Sequence, residues 1–257
     1  MKADTGPLAE GEDGYGRLPP PETIVERACE LLVPRQDLAG RRILVTAGPT
    51  REALDPVRYL SNRSSGKMGF AVASRAARRG AEVTLVHGPV SLAPPPGVRS
   101  VAAVSAAEML AAVQEHFPLC DSLVMAAAVA DYRPLAAADG KIKKDGSGKI
   151  EMVLEETADI LGSVAAGKGS RIVVGFAAET EDLEENARRK MGVKNLDMIV
   201  ANDVTIPGAG FDGDTNQVEI FSRAGEHVRT PLLSKEDVAE TILDQLVLLL
   251  DGENASR

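Results

Sequence analysis

Tryptophan is absent from this 257-residue chain, and Phe and Tyr number only five and three. So thin an aromatic content leaves no stacking platform for single-stranded nucleic acid. Basic residues are in deficit as well. The 29 Lys and Arg against 38 Asp and Glu give a net charge of -9, the reverse of the basic face that a phosphate backbone requires. Small anionic ligands stay open, because local lysines hold a phosphate on an acidic protein. Cysteine occurs twice, as Cys29 and Cys120, too far apart for metal-ligand spacing or a disulfide framework. That fits a reducing cytosol. No apolar run approaches the length of a bilayer span. The opening MKADTGPLAEGEDG has no apolar signal core. The expectation is a cytoplasmic protein with no membrane contact and no nucleic-acid partner. The three histidines, His87, His116 and His227, are isolated, and no GxSxG, HExxH or paired-Cys motif occurs.

What is present is ordinary for a soluble enzyme: 44% hydrophobic and 26% charged residues, in a chain long enough to bury a sizeable core. Residues 1–20 are rich in Gly, Pro and acidic residues and read as a tail or linker; residues 22–33 have the spacing of a helix. From Arg42 onward strands and helices alternate. RILVTAG (42–48) is a buried strand entering a glycine turn, and 66–79 is a helix of small residues. Strands are expected at 81–86, 122–129, 171–176 and 198–200, and helices at 105–116, 159–166, 183–194 and 234–250. Ser234 is the expected N-cap of the last helix. Residues 134–151 break the pattern with Pro, Gly and Lys and read as a flap; 208–216 is a long Gly/Asp loop; 218–221 and 227–229 resemble a hairpin. The fold class is therefore α/β, a Rossmann-like three-layer fold with a mostly parallel sheet plus a small hairpin and flap. Ligands in such sheets bind beyond the carboxyl ends of the strands.

Four segments carry candidate chemistry. The turn after the first strand reads TAGPT (46–50), so the GxGxxG dinucleotide fingerprint is missing. A Walker A loop fails too, because Gly66-Lys67 is followed by Met68. What remains is SNRSSGKMGFA (61–71), small residues running into a helix whose free amides suit a phosphate, with Ser64 and Ser65 as hydroxyl donors. A helix whose glycines only pack against the sheet is the other reading. In AAAVADYRP (126–134), Asp131 falls just past a buried strand, where a carboxylate meets a metal or a sugar hydroxyl, or merely closes a turn. KIKK (141–144) puts Lys141 and Lys143 on one face of an extended arm, and Lys190 and Lys194 share a helix face at i, i+4. Taken alone, both lysine sets read by default as solvated charge.

Taken in order, VTAGPTREALDPVRYLSNRSSGKMGFAVA (45–73), AAAVADYRP, KIKK, VVGFAAET (173–180), KNLDMIVAND (194–203) and GFDGDTNQV (210–218) closely resemble bacterial phosphopantothenoylcysteine synthetase, also called phosphopantothenate–cysteine ligase. The resemblance covers about residues 40–250. In many bacteria this unit is the C-terminal half of a bifunctional coenzyme A protein whose N-terminal half is a flavin-dependent decarboxylase. The resemblance implies three parts: a tail and linker (1–39) similar to the end of the decarboxylase half, a ligase domain (40–251) and a short tail (252–257). In the first part Glu10 stands where the decarboxylase has its proton-donating Cys, so neither decarboxylase activity nor FMN is expected.

The family joins 4'-phosphopantothenate to L-cysteine through an acyl-cytidylate, consuming CTP with a divalent cation, Mg2+ or Mn2+. The resemblance places the phosphopantothenate phosphate at Ser64, Gly66, Gly69 and Phe70, with Gly48 beside it and Arg58 reaching it across a dimer interface. Asn62 matches the Asn that contacts the acyl-cytidylate carbonyl, and Lys141 the flap lysine that reaches the reacting phosphates; these two are the catalytic pair. For CTP it implies Met125, Ala126 and Ala127 near base or ribose, Asp131 near metal or sugar, Phe176 beside the nucleotide, and Lys190 and Lys194 on the triphosphate. Thr157-Ala158-Asp159-Ile160 stands where the family often reads Asn-Pro-Asp-Ile, which leaves backbone contacts to the base and alters the first two side chains. A homodimer is implied, with 134–151 and 205–231 as interface arms. Two other readings compete: a nucleotide-binding oxidoreductase, which lacks its glycine fingerprint, and a non-catalytic dimer module.

Overall fold

The computed structural model describes residues 4–7, 13–22, 24–25, 28, 35–144, 148–179, 182–203, 210 and 213–255. The helix expected over 22–33 lies mostly outside them, as do parts of the expected flap and of the Gly/Asp loop. The central sheet has eight strands: β1 (Arg42–Ala47), β2 (Glu82–His87), β3 (Val98–Ala102), β4 (Ser122–Met125), β5 (Ile172–Glu179), β6 (Met198–Asp203), β7 (Val218–Ser222) and β8 (His227–Arg229). Their order is 8-7-6-5-4-1-2-3, and β1 to β6 are parallel. Within that parallel set the order 3-2-1-4-5-6 is that of doubly wound dinucleotide-binding sheets, with the switch point between β1 and β4. The expected hairpin closes the sheet as the antiparallel pair β7–β8.

Alternation along the strands feeds two cores. Ile43 and Val45 of β1, with Val174 and Val200, face α1 (Lys67–Arg78) and α5 (Lys235–Ala255). Leu44, Leu123, Val173 and Ile199 face the opposite layer, α2 (Ala106–His116), α3 (Ile160–Ala165) and α4 (Leu183–Val193). The helices are stopped and started by local chemistry. Ser105 caps α2 by accepting from the Glu108 N–H, and Asp159 caps α3 by accepting from the Gly162 N–H. No described helix is long and apolar enough to cross a membrane.

Three expectations shift. Residues 1–20, read as a tail, contain a hairpin in which Asp4–Pro7 pairs antiparallel with Asp13–Arg17. Leu38, placed in the linker, is fully buried in the core, and its N–H donates to the Arg79 carbonyl at 3.1 Å. The apolar run 122–129, read as one strand, breaks its regular ladder after Met125. Two buried threonines take backbone N–H groups there: Thr46 Oγ1 accepts from Ala127 N at 3.1 Å, and Thr50 Oγ1 from Ala130 N at 2.9 Å. Between them the pairing with the chain after β1 resumes in register only as a single parallel bridge, Pro49 to Ala128.

Candidate active site

The switch point opens into a cleft of about 920 Å3 at the carboxyl ends of the parallel strands. One wall is the stretch from Asn62 to Gly69. Gly66 turns the chain into α1 with φ of 77°, a left-handed conformation that disfavours any side chain. Gly69 lets the helix lie directly on β1, since a Cβ there would stand 2.6 Å from Ala47 Cβ and 2.8 Å from the Thr46 carbonyl oxygen. Together they aim the helix N-terminus at the cleft. No side chain caps that terminus, and its first turn holds no acidic residue. The N-terminal amides of α1 are thus suited to an anion brought from outside.

The floor is formed by Met125–Val129 from the end of β4 and by Phe176, Ala177 and Ala178 from the end of β5. Ala128 N donates to the Gly48 carbonyl at 2.9 Å, and Thr50 N to the Ala128 carbonyl at 3.3 Å, so the loops after β1 and β4 are stitched together. Asn62 is tied to the same crest, its Nδ2 donating to the Val129 carbonyl at 2.8 Å.

The far wall is cationic. Lys190 and Lys194 both line the cleft. Lys190 Nζ donates to the Phe176 carbonyl at 2.8 Å, and Lys194 pairs with Asp159. Burial would raise the Asp159 carboxyl, but the Lys194 hydrogen bond and the Gly162 N–H outweigh it and hold the group below its ordinary value. Asp159 is therefore both a helix cap and the counter-ion of the lysine pair. Asp131 is exposed on the rim, its carbonyl accepting from Thr157 N at 2.9 Å, while Thr157 Oγ1 donates to the Ala130 carbonyl at 2.6 Å. These bonds fold the 157–160 segment against the strand-end loop. Cys120 lies outside the cleft, buried, its thiol pushed up to about 12 by desolvation. It is inert as a nucleophile.

Fifteen of the residues expected from the sequence come together on the cleft wall: Asn62, Ser64, Gly66, Gly69, Met125, Ala126, Ala127, Asp131, Thr157, Ala158, Asp159, Ile160, Phe176, Lys190 and Lys194. Four do not line it. Gly48 lies behind Gly66, and Phe70 is buried edge-on against His87 at 5.5 Å. Arg58, expected on the substrate phosphate, is engaged within the chain by Asp55 and the Ile142 carbonyl. Lys141 is exposed beside that contact. The cleft also holds Lys67, Asn202, Asn216 and Lys235, which no motif taken singly marks as site residues. Lys67 pairs with Asp214 at 2.7 Å. Lys235 is buried at the start of α5, Nζ donating to the Gly210 carbonyl at 3.3 Å. Lys67, Asn202 and Asn216 fall within the quoted motif strings and Lys235 in none of them, and the four converge from four separate elements. Among the described residues no three His, Cys, Asp or Glu side chains gather as a metal-ligand set. The acidic side chains of the cleft are Asp131, Glu156 and Asp159, and the last is spent on Lys194 and Gly162. This donor set does not fit a resident cation.

The model of the family described as DNA/pantothenate metabolism flavoprotein C-terminal domain matches residues 38–249. The chain belongs to that family. It is 49% identical over 254 residues to the coenzyme A biosynthesis bifunctional protein CoaBC of Escherichia coli strain K12, covering 98% of this chain and 62% of that protein. Against the protein of the same name from Bacillus subtilis strain 168 it is 46% identical over 252 residues, 97% of this chain and 62% of that one. The chain thus spans less than two thirds of the length of these relatives. Among solved structures, the crystal structure of the C-terminal domain of CoaBC matches with a TM-score of 0.74 at 43% identity, covering 84% of this chain and 99% of that chain. The family's start at residue 38 agrees with the burial of Leu38.

Proposed function

We propose that this chain is a phosphopantothenate–cysteine ligase that consumes CTP. The observation that carries the reading is one cleft that combines an uncapped helix N-terminus, a lysine pair and an exposed amide, Asn62. A carboxylate is a poor acyl donor and must be activated. Its oxygen attacks the nucleotide α-phosphorus, and the bond to pyrophosphate breaks. The cysteine amine then attacks the acyl carbon, loses a proton, and CMP leaves with the carbon–oxygen bonding pair. Both partners of the first step are anions, so the site has to offset their repulsion. The α1 amides with Ser64, Gly66 and Gly69 take the phosphate of the acid, and Lys190 and Lys194 take the triphosphate. Met125, Ala126, Ala127, Phe176 and the 157–160 backbone take the nucleoside. Asn62 polarises the acyl carbonyl with a neutral N–H, which does not repel the carboxylate. Lys141 serves the reacting phosphates from the flap. The divalent cation, Mg2+ or Mn2+, belongs to the substrate as the metal–nucleotide complex, and Asp131 is the exposed cleft carboxylate that would meet it.

A homodimer is part of the proposal. Val57 and Tyr59 are exposed beside the strand pair Arg51–Ala53 and Tyr59–Ser61, and Leu135, Met152 and Val153 beside the pair Tyr132–Pro134 and Leu154–Glu156. The two hairpins lie next to each other. Such an apolar surface supports a second copy as its cover.

The test is a mass-resolved assay with 4'-phosphopantothenate, cysteine and Mg2+, run with CTP and with ATP. Phosphopantothenoylcysteine with CMP and pyrophosphate is the expected outcome. AMP with pyrophosphate keeps the ligase and overturns CTP. Absence of product with either nucleotide overturns the ligase.

A further inference from the structure

Asp55 is a buried carboxylate outside the cleft, and it makes more contacts than its turn needs. Its Oδ1 accepts from Val57 N and Arg58 N at 2.8 Å each, which closes the turn at 55–58. Its Oδ2 accepts from Arg58 Nε at 3.0 Å and Nη2 at 2.6 Å. Those bonds would satisfy an ordinary i, i+3 ion pair. Yet Oδ2 also accepts from the Ile142 N–H at 3.1 Å, 87 residues away. Arg58 Nη2 then donates to the carbonyl of the same residue at 2.9 Å. Both polar groups of the Ile142 backbone are thereby held by one ion pair. Four residues earlier, Ala138 N donates to the Leu54 carbonyl at 2.9 Å, which brings the same loop alongside the arm.

Ile142 is the centre of the KIKK segment, between exposed Lys141 and Lys143. The N–H and C=O of Ile142 lie in the two peptide planes that flank its Cα, so gripping both orients the 141–142 and 142–143 peptides and with them the points from which Lys141 and Lys143 leave the chain. The gripping loop runs on through Tyr59–Ser61 to Asn62, which is itself tied to the strand-end crest. One loop therefore carries Asn62 and sets the origin of Lys141. We propose that Asp55 is a positioning residue that holds the Lys141 segment in register with the cleft, acting through Ile142. The chemistry assigned to Lys141 rests on the ligase reading; the anchoring itself does not.

The Arg58 hydrogen bond, aided by the Val57, Ile142 and Arg58 N–H groups, overcomes burial and keeps the Asp55 carboxyl well below the usual carboxylate range. It stays ionised at any working pH, so its loss should lower the amplitude of the pH–rate profile without moving its limbs.

Two variants test the proposal. Asp55→Asn weakens the anchor from the loop side. Ile142→Pro removes the arm's own donor and leaves the 55–58 turn intact, which keeps the test valid where Asp55→Asn folds poorly. Limited trypsin digestion, followed by mass, reads cleavage after Lys143 and Lys144. We expect both variants to be cut there about tenfold faster than the parent, with other sites unchanged. Turnover should fall by about tenfold or more, with KM for the nucleotide within about twofold. The double variant Asp55→Asn/Lys141→Gln should be no slower than Lys141→Gln alone, because the two changes remove one function. Unchanged cleavage overturns the proposal, and so does a double variant whose loss is the product of the single losses. A parent protein that forms no amide with either nucleotide defeats the ligase reading, and cleavage then decides the anchor by itself.

Discussion

At the scale of single residues the cleft depends on groups that are neutral where charge would repel. Asn62 donates one N–H to the Val129 carbonyl and has a second to give. An aspartate in its place would set an anion against that carbonyl and against an anionic substrate. Asn62→Asp should therefore slow amide formation by about 100-fold or more while acyl-cytidylate accumulates. Its melting temperature should stay within a few degrees of the parent, because the side chain is exposed. Mass detection of the intermediate in a single turnover checks this, and near-normal turnover removes Asn62 from the reaction.

At the scale of elements, the two helices on one face of the sheet are bound together by charge. Arg75 pairs with Glu236 and Glu240, and Arg79 with Glu240 and Asp244, so α1 and α5 run parallel. Both N-termini then point toward the cleft end. Arg79 is buried and also holds Asp37 at 2.7 Å, which pins the entering chain beside Leu38. The Arg79 hydrogen bond, opposed by burial, holds the Asp37 carboxyl below its ordinary value. A carboxyl lowered in the folded state stabilises fully above its unfolded pKa and loses that contribution as pH falls through the folded pKa. Asp37→Asn should thus melt below the parent at pH 6, with the gap closing as pH falls below about 3.8. Calorimetric scans from about pH 6 to pH 2.5 would show the convergence. A gap constant over that range would mean that Asp37 acts by packing.

At the scale of the whole molecule, the proposed homodimer rests on the exposed apolar hairpins. Sedimentation equilibrium should report a dimer, and Val153→Asp with Leu135→Asp should shift it to monomer with the secondary structure unchanged. A parent that sediments as a monomer would refute the dimer. The mostly parallel sheet was within reach of the sequence, since near-continuous apolar strands alternate with helices; the edge strand β3 was not, because Val98–Ala102 is largely exposed and carries no apolar run. The helix entering at Gly66 was legible for the same reason: SNRSSGKMG is a local code, written in residues that touch their own backbone. Lys190 and Lys194 were legible as a pair because i, i+4 spacing is a property of one helix.

The sequence by itself determined the periodic elements, their caps and the glycines at the α1 entry, because each depends on neighbours within a few positions. Only the tertiary structure decided where β4 ends. Thr46 and Thr50 take the N–H groups of Ala127 and Ala130 from about 80 residues away, and no periodicity in 122–129 records that competition. It likewise decided that Arg58 belongs to Asp55 and Ile142, and that Lys67, Asn216 and Lys235 share a wall with Asn202. Apart from the local Asp55–Arg58 pair, these are contacts and juxtapositions between residues distant in sequence. Their partners are chosen by the closure of the sheet, after local propensity has had its effect.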